Sequence, residues 1–306
     1  MEVQRWITQA LLSKVPPHPS SVAFSKGDTL VAAAQAHCEC RWLIKLDVKN
    51  FFESINEVAA YRVFRSLGYQ PIVAFELARI CTRLVTGSPF IGKKWRASAP
   101  ASKFKIGDYS MKSIGHLPQG APTSPMLANL AMAEFDKALG DLAALNGVTY
   151  TRYADDIALS SLNKSFGRNR CQALILEVFV LMAKWGLSPN RTKTRISSPG
   201  ARKVVLGLVV NGPQPNLTRE FKDNLRRHTH FISSATIGPA KHAAARGFSS
   251  TIGLKNHVMG LISFAHQVDP GFASERRAEL SDVEWPFEKA PVRSGTKLRS
   301  REIRGD

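Results

Sequence analysis

Two adjacent carboxylates, Asp155 and Asp156, stand in the run VTYTRYADDIALSS between two stretches rich in apolar and β-branched residues. That pattern predicts a β-hairpin with the acids at its tip. Neighbouring aspartates repel, so holding both at a tight turn is costly unless a cation neutralises them. A hard divalent cation such as Mg²⁺ suits carboxylate oxygens. A solvated turn uses the same residues, and an Asp-Asp pair alone does not separate the two readings.

Three further segments bear on the choice. The first is RWLIKLDVKNFFESI, residues 41–55. Trp42 to Val48 reads as a buried strand in which Asp47 is the one carboxylate, and Phe51 and Phe52 open a helix just after it. A buried aspartate is costly without a partner or a metal, although an acid also serves as a strand-end cap. The second is HLPQGAPTSPMLANLAMAEFDKAL, residues 116–139, a Pro- and Gly-rich loop feeding an amphipathic helix. Thr123 or Ser124 is placed to cap that helix and Pro125 suits its first turn. A loop running into a helix N-terminus favours phosphate, or is simply a helix start. The third is WGLSPNRTKTRISSPGARKVVLGLVVNG, residues 185–212, where a turn with clustered cations, Lys193 among them, leads into a strand over Lys203–Val210. A solvated basic loop has the same composition.

The elements that must position these residues follow from periodicity. Val3, Trp6, Ile7, Ala10 and Leu11 recur at helical spacing over residues 1–14, and Pro16, Pro17 and Pro19 end that helix. A second helical stretch lies within Ala23–His37, residues 56–86 read as helical, and 171–185 form an apolar helix. Residues 87–116 are irregular and basic, with Lys93, Lys94, Arg96, Lys103 and Lys105. Residues 213–285 read as mostly helical and rich in Arg, Lys and His. Arg219, Lys222, Arg226, Arg227 and His230 recur on one helical face there, which is either a polyanion contact or a solvated cationic surface. The chain of 306 residues carries 42 Lys+Arg against 24 Asp+Glu, a net charge of +18, which fits a polyanion partner. No apolar run has transmembrane length and no signal peptide opens the chain, so no membrane partner is expected. Four cysteines, two in Cys38-Glu39-Cys40, make no disulfide framework and no second ligand pair at zinc spacing; a reducing cytoplasm is the expected setting.

In this order the four segments resemble the palm of a reverse transcriptase, over roughly residues 1–285. The Asp47 strand resembles motif A, LPQG motif B, YADD the hairpin of motif C, the Lys193 turn motif D, and LGLVVNG the primer grip. The details resemble the bacterial retron group, with related anti-phage defence enzymes sharing the same palm. The resemblance implies an α+β fold of right-hand polymerase architecture, with an antiparallel palm sheet and packed helices, partial fingers and a helical thumb. Its domains would be partial fingers and palm over 1–212, thumb over 213–285 and a basic tail, expected to be disordered, over 286–306. It implies two Mg²⁺ ions, with Mn²⁺ a possible substitute, held by Asp47, Asp155 and Asp156 and the backbone of Val48. Lys193 would protonate or neutralise the leaving pyrophosphate. Val48, Phe51, Phe52, Gln119 and Gly120 would line the nucleotide site, with Phe52 a steric gate against a ribose 2′-hydroxyl. Tyr153 would pack beside the primer terminus, and the five basic thumb residues would contact the template–primer backbone.

The implied partners are an RNA template, an RNA–DNA duplex, dNTPs, a cognate non-coding RNA and a defence effector protein, in a bacterial cytoplasm. Two signatures depart from the retron pattern. In Ala33-Ala34-Gln35-Ala36-His37 the group's leading Asn is replaced, and in Val205-Leu206-Gly207 its middle Thr is replaced. The group's engagement of its own structured RNA is attributed to both positions. The fingers segment usual before the opening helix is also missing, so another chain supplying it, or an upstream start, is an expectation. A non-catalytic RNA-binding scaffold and a polymerase active only with a second subunit use the same residues. A metal-dependent nuclease would leave LPQG and Phe52 unexplained.

Overall fold

Trp42–Lys49 forms strand β1, buried over most of its length. The run WLIKLDVK is nearly continuous in apolar residues because both faces of the strand are covered. Its Leu43, Ile44 and Leu46 are each 1% exposed, and each such side chain stabilises the fold by about 1.5–3 kcal/mol. The computed structural model describes residues 1–84 and 114–286. The basic stretch with Lys93, Lys94, Arg96, Lys103 and Lys105, and the basic tail beyond residue 286, lie outside the described residues.

The described chain divides into two compact units, Met1–Pro215 and Asn216 onward. The first unit is α+β. Strands β2 (Thr149–Tyr153) and β3 (Asp156–Ser161) form an antiparallel hairpin, and β3 pairs with β1 from Trp42↔Ser161 to Asp47↔Asp156. On its other side β1 pairs with two short strands, β4 (Ser188–Pro189) near its end and β5 (Arg195–Ser197) near its start. β1 is therefore the central strand, hydrogen-bonded along both edges.

Eight helices of this unit precede or flank the sheet: α1 (Glu2–Ala10), α2 (Leu30–Gln35), α3 (Phe51–Ser54), α4 (Glu57–Ser66), α5 (Pro71–Cys81), α6 (Ser124–Ala131), α7 (Ala133–Leu145) and α8 (Arg168–Lys184). Their starts follow ordinary capping chemistry where it is available. Thr29 caps α2, Asn56 caps α4 and Pro71 opens α5. The stretch expected to be helical over 56–86 holds, within its described part, the two helices α4 and α5, parted at Gly68, whose φ is +92°.

Three expectations are corrected. Neither Thr123 nor Ser124 caps α6 through its side chain; the Ser124 hydroxyl instead donates to the Pro118 carbonyl at 2.7 Å and closes the loop before the helix. The helix after LPQG breaks at Met132 into α6 and α7. The strand over Lys203–Val210 is a small hairpin of β6 (Val204–Val205) and β7 (Leu208–Val209). Leu206 and Gly207 form its turn with φ of +49° and +83°, the backbone that a two-residue hairpin loop demands.

The second unit contains β8 (Asn216–Leu217) and helices α9 (Arg219–Ser233), α10 (Gly238–Ala245), α11 (Thr251–Val268) and α12 (Pro270–Ala278). Its core holds an unusual polar element. His228 of α9 and His242 of α10 are 3% and 5% exposed, and their ring nitrogens lie 3.0 Å apart. His257 of α11 packs on His228 at 5.5 Å between ring centroids. Among the described residues no helix is long and apolar enough to cross a membrane.

Burial, then the neighbouring His242, Arg246, His257 and Arg227, lower the His228 pKa to about 4. Burial first, then Arg246, lowers His242. In the first unit burial lowers His37 to about 4. His228 and His37 stay neutral in the fold at a pH where the unfolded chain, with a pKa near 6.5, takes up protons. Their contribution is intact above that value and is lost as pH falls from about 6.5 towards 4. The melting temperature of the full chain, followed by circular dichroism, should fall across this window, and the His228→Gln variant should fall less steeply. A flat profile in the wild type would contradict this assignment.

Candidate active site

The three acids singled out in the sequence meet at one end of the sheet. Asp47 lies directly opposite Asp156 in the β1–β3 register. Asp155 occupies the two-residue turn with Ala154, whose φ of +53° supplies the left-handed residue such a turn needs. The Asp155 carbonyl accepts a hydrogen bond from the Val48 N–H at 3.0 Å, which ties the turn to β1 beside Asp47.

Lys193 joins this group from 146 residues away in sequence. The end of β1 pairs with β4, and the Asp47 carbonyl accepts from the Asn190 N–H at 2.8 Å. A short 3-10 turn over Arg191–Lys193 then brings the ammonium to 2.8 Å from Asp47 Oδ2. The hydrogen bond with Asp47, then its charge, raises the Lys193 pKa. Burial raises Asp155, and the charges of Asp47 and Asp156 add to it, while its own backbone N–H and Lys193 act in the opposite direction. Negative charge is therefore concentrated at this corner beyond what one lysine offsets.

A cleft of about 680 Å³ is lined by Asp47, Val48, Phe52, Gln119, Asp155 and Lys193 among others, whereas Asp156 lines a separate hollow of about 260 Å³ that also touches Asp47 and Lys193. Asn50, with φ of +49°, turns the chain sharply from β1 into α3. Phe51 is consequently 4% exposed in the core, while Phe52 is half-buried and meets it edge-on at 5.4 Å between ring centroids. Both border the cleft. Gln119 is exposed and borders it too; Gly120 does not line it. The structural demand at Gly120 is its φ of +80°, since a Cβ there would meet nothing within 4 Å.

Two anchors hold the LPQG loop. The Leu117 N–H donates to the Ile55 carbonyl at 3.0 Å. The buried Glu57 carboxylate accepts from the Gly115 N–H at 3.2 Å and pairs with Arg79 at 3.0 Å.

Carboxylates and backbone carbonyls are the donor set that a hard divalent cation requires. The register puts two of the carboxylates opposite one another with the third in the adjoining turn, so the residues fit such an ion. The donor types suit the ion, but as the side chains stand no group of three or more His, Cys, Asp or Glu among the described residues is placed to hold one; the cation touching Asp47 is Lys193. The four cysteines are free thiols, and the Cys-x-Cys pair assembles no such centre.

The network beneath the hairpin was not anticipated from the sequence. Arg152, on β2, is fully buried and forks onto Asp136 of α7, with Nε to Oδ1 at 2.7 Å and Nη2 to Oδ2 at 2.6 Å. Its Nη1 also donates to the Ala154 carbonyl at 3.1 Å, so the guanidinium holds the turn that carries Asp155. Nη2 reaches Ser21 Oγ at 3.2 Å. The Tyr150 hydroxyl donates to Asp136 at 2.7 Å. On the other side of the hairpin, His37 lies 2.7 Å from both Ser160 Oγ and Thr151 Oγ1 and is wholly buried. The sequence marks these residues only weakly: Arg152 is the one charge in TYTRY, and Asp136 stands between Glu134 and Lys137 in AEFDKAL.

The five basic residues of α9 belong to the second unit. Arg219, Arg226, Arg227 and His230 are exposed, whereas Lys222 is half-buried and paired with Asp269 at 2.7 Å. Asp223 takes Arg226 at 3.1 Å and Arg219 at 3.5 Å. Lys222, Arg226 and Arg276 gather around the Phe272 ring at 5.1–5.4 Å from its centroid. This surface is cationic but partly neutralised in place.

Residues 2–229 match the family of reverse transcriptases, RNA-dependent DNA polymerases. The chain belongs to that family. Its relatives put it among the retron-type members. It is 28% identical over 290 residues to the retron Ec86 reverse transcriptase of Escherichia coli, which covers 95% of this chain and 75% of that protein. To the retron Mx162 reverse transcriptase of Myxococcus xanthus it is 28% identical over 297 residues, 94% of this chain and 57% of that protein. The apo telomerase from Candida tropicalis aligns at 13% identity with a TM-score of 0.46, over 71% of this chain and 45% of that one.

Breaking a buried ion pair from one side leaves the other charge stranded. Asp136→Asn should destabilise the first unit by about 3–5 kcal/mol. Urea unfolding of the full chain tests it, and a loss below about 1 kcal/mol would mean that water or relaxation satisfies Arg152.

Proposed function

We propose that this chain copies an RNA template, a structured non-coding RNA, into DNA within a bacterial anti-phage defence system. The observation that carries the reading is a cleft lined by Asp47, Asp155, Phe52 and Gln119, with Asp156 paired to Asp47 in the sheet behind it. A bare cluster of acids is a burden to a fold, and a polar cleft beside it gives the cluster a use.

In this reading Asp47, Asp155 and Asp156, with the Val48 backbone, hold two Mg²⁺ ions, for which Mn²⁺ can substitute. When bound, the ions activate the primer 3′-hydroxyl and offset the charge developing on the α-phosphate. Lys193 leaves Asp47 for the leaving pyrophosphate and supplies it with charge or a proton. The ring of Phe52 excludes a ribose 2′-hydroxyl and so selects dNTPs, while Gln119 and the backbone from Val48 to Phe51 meet the nucleotide. Gly120 lets the LPQG loop turn back towards it. Tyr153, opposite Asp156 at the end of β2, packs beside the primer terminus. The first unit serves as palm with partial fingers and the second as thumb. There Arg219, Lys222, Arg226, Arg227 and His230 contact the phosphates of the RNA–DNA duplex, which makes binding salt-dependent. The setting is the cytoplasm, with a defence effector as protein partner.

The full-length protein purified from cells should carry a discrete DNA joined to or paired with a short RNA. The Asp155→Ala protein should carry RNA alone. Sequencing of the bound nucleic acid reads the result, and equal DNA in both samples would refute the polymerase assignment. Phe52→Val should cut the preference for dNTPs over ribonucleotides by about tenfold or more in primer extension. An unchanged ratio would return Phe52 to plain packing.

A further inference from the structure

Glu57 opens α4 outside the cleft and is 1% exposed. A carboxylate buried that deeply is costly unless donors surround it. Its Oε2 accepts from Arg79 Nη1 at 3.0 Å and from the Gly115 N–H at 3.2 Å, and the Thr82 hydroxyl lies 3.1 Å away. In return the Glu57 N–H donates to the Gly115 carbonyl at 2.8 Å. One residue thus holds Gly115 from both sides. The grip leaves no spare room. A Cβ on Gly115 would lie 2.8 Å from Glu57 Oε2 and 2.9 Å from Thr82 Oγ1, so a larger residue fits only if one of them moves.

The same stretch of chain connects two residues of the cleft. Beyond Gly115, the Leu117 N–H is held by the Ile55 carbonyl and the Pro118 carbonyl by the Ser124 hydroxyl. Gln119 comes next, exposed and bordering the cleft. Before Glu57, the Ile55 N–H donates to the carbonyl of Phe52, which also borders the cleft. Residues 52–57 therefore tie the Phe52 position to the loop that presents Gln119.

We propose that Glu57 is a positioning residue for the incoming nucleotide. Through Gly115 its carboxylate fixes Gln119 relative to the Phe52 ring, and so sets both nucleotide affinity and the exclusion of a ribose 2′-hydroxyl. The inference rests on the reading of Gln119 and Phe52 given above. Glu57 itself touches no substrate. Loosening its grip lets Gln119 drift while the acids and the primer–template contacts stay in place.

Primer extension by the full chain, on an RNA template with a DNA primer, separates these effects. Gly115→Ala keeps every donor and acceptor and adds only the methyl for which Glu57 and Thr82 leave no room. It should raise the dNTP KM on the order of tenfold and lower the preference for dNTPs over ribonucleotides, with kcat and the primer–template KM within about twofold of wild type. Glu57→Gln keeps the shape but removes the charge that holds Arg79, and should move both quantities the same way by a smaller factor. Adding Glu57→Asp to Gly115→Ala draws the carboxylate back from the methyl and should restore part of the lost affinity and discrimination. A purely structural Glu57 gives another signature: melting temperature and kcat fall, dNTP KM and discrimination hold, and the second substitution restores nothing. That result overturns the proposal. Gln119→Ala should raise the dNTP KM by itself. If it does and neither Gly115→Ala nor Glu57→Gln follows, the positioning role alone fails. If Gln119→Ala changes nothing, or the wild type extends no primer, the reading of the cleft fails and the positioning role fails with it.

Discussion

The buried guanidinium of Arg152 is the interaction on which the candidate site depends. A charge with about 1% exposure is tolerated only where its donors are met by acceptors, and a carboxylate in bidentate geometry meets them best. Asp136 provides that geometry, and the remaining donors go to Ser21, Asn129 and the Ala154 carbonyl. One side chain thus joins the N-terminal segment, α6, α7 and the turn between β2 and β3. Phe51 lies under the same guanidinium at 5.6 Å, so a wall of the cleft is tied to it as well. Replacing the network with apolar residues could be neutral for stability, but nothing apolar would hold the Ala154 carbonyl.

Electrostatics above that network runs the other way. Three acids share one corner of the sheet, and among the described residues Lys193 is the cation whose side chain contacts Asp47. The lysine is well exposed, at 62% for its side chain, and so is screened by water. The Arg152–Asp136 pair is permanent and buried; the Lys193–Asp47 pair is shallow and exchangeable. That contrast separates the part of the site that sets geometry from the part that meets ligands.

Much of this was legible in the sequence for a physical reason. Strands buried on both faces read as apolar runs, so Asp47 in WLIKLDVK and the acids after TYTRY stood out by contrast. The antiparallel hairpin and the Asp47 strand were therefore visible, whereas their register was not. Arg152 was hidden because an arginine in a strand reads as a surface residue until the helix bearing Asp136 is in place. The break at Met132 carries no Gly or Pro, and the Ser124 hydroxyl chose the Pro118 carbonyl over the helix end through loop closure alone. Phe24, with a φ of +68°, contradicts its own backbone preference. Such local conflicts are invisible to propensity, and they concentrate at functional sites.

β1 is paired along both edges and covered on both faces. Where both edges are paired, over Leu43–Lys45, its amide hydrogens reach solvent only when the sheet itself opens, so their exchange rate reports the global unfolding of the first unit. The turns bearing Asp155 and Lys193 lie at the sheet's margin, where opening needs only local unfolding. The strand that carries Asp47 is thus timed by the whole domain, and Asp155 and Lys193 by the loops that carry them.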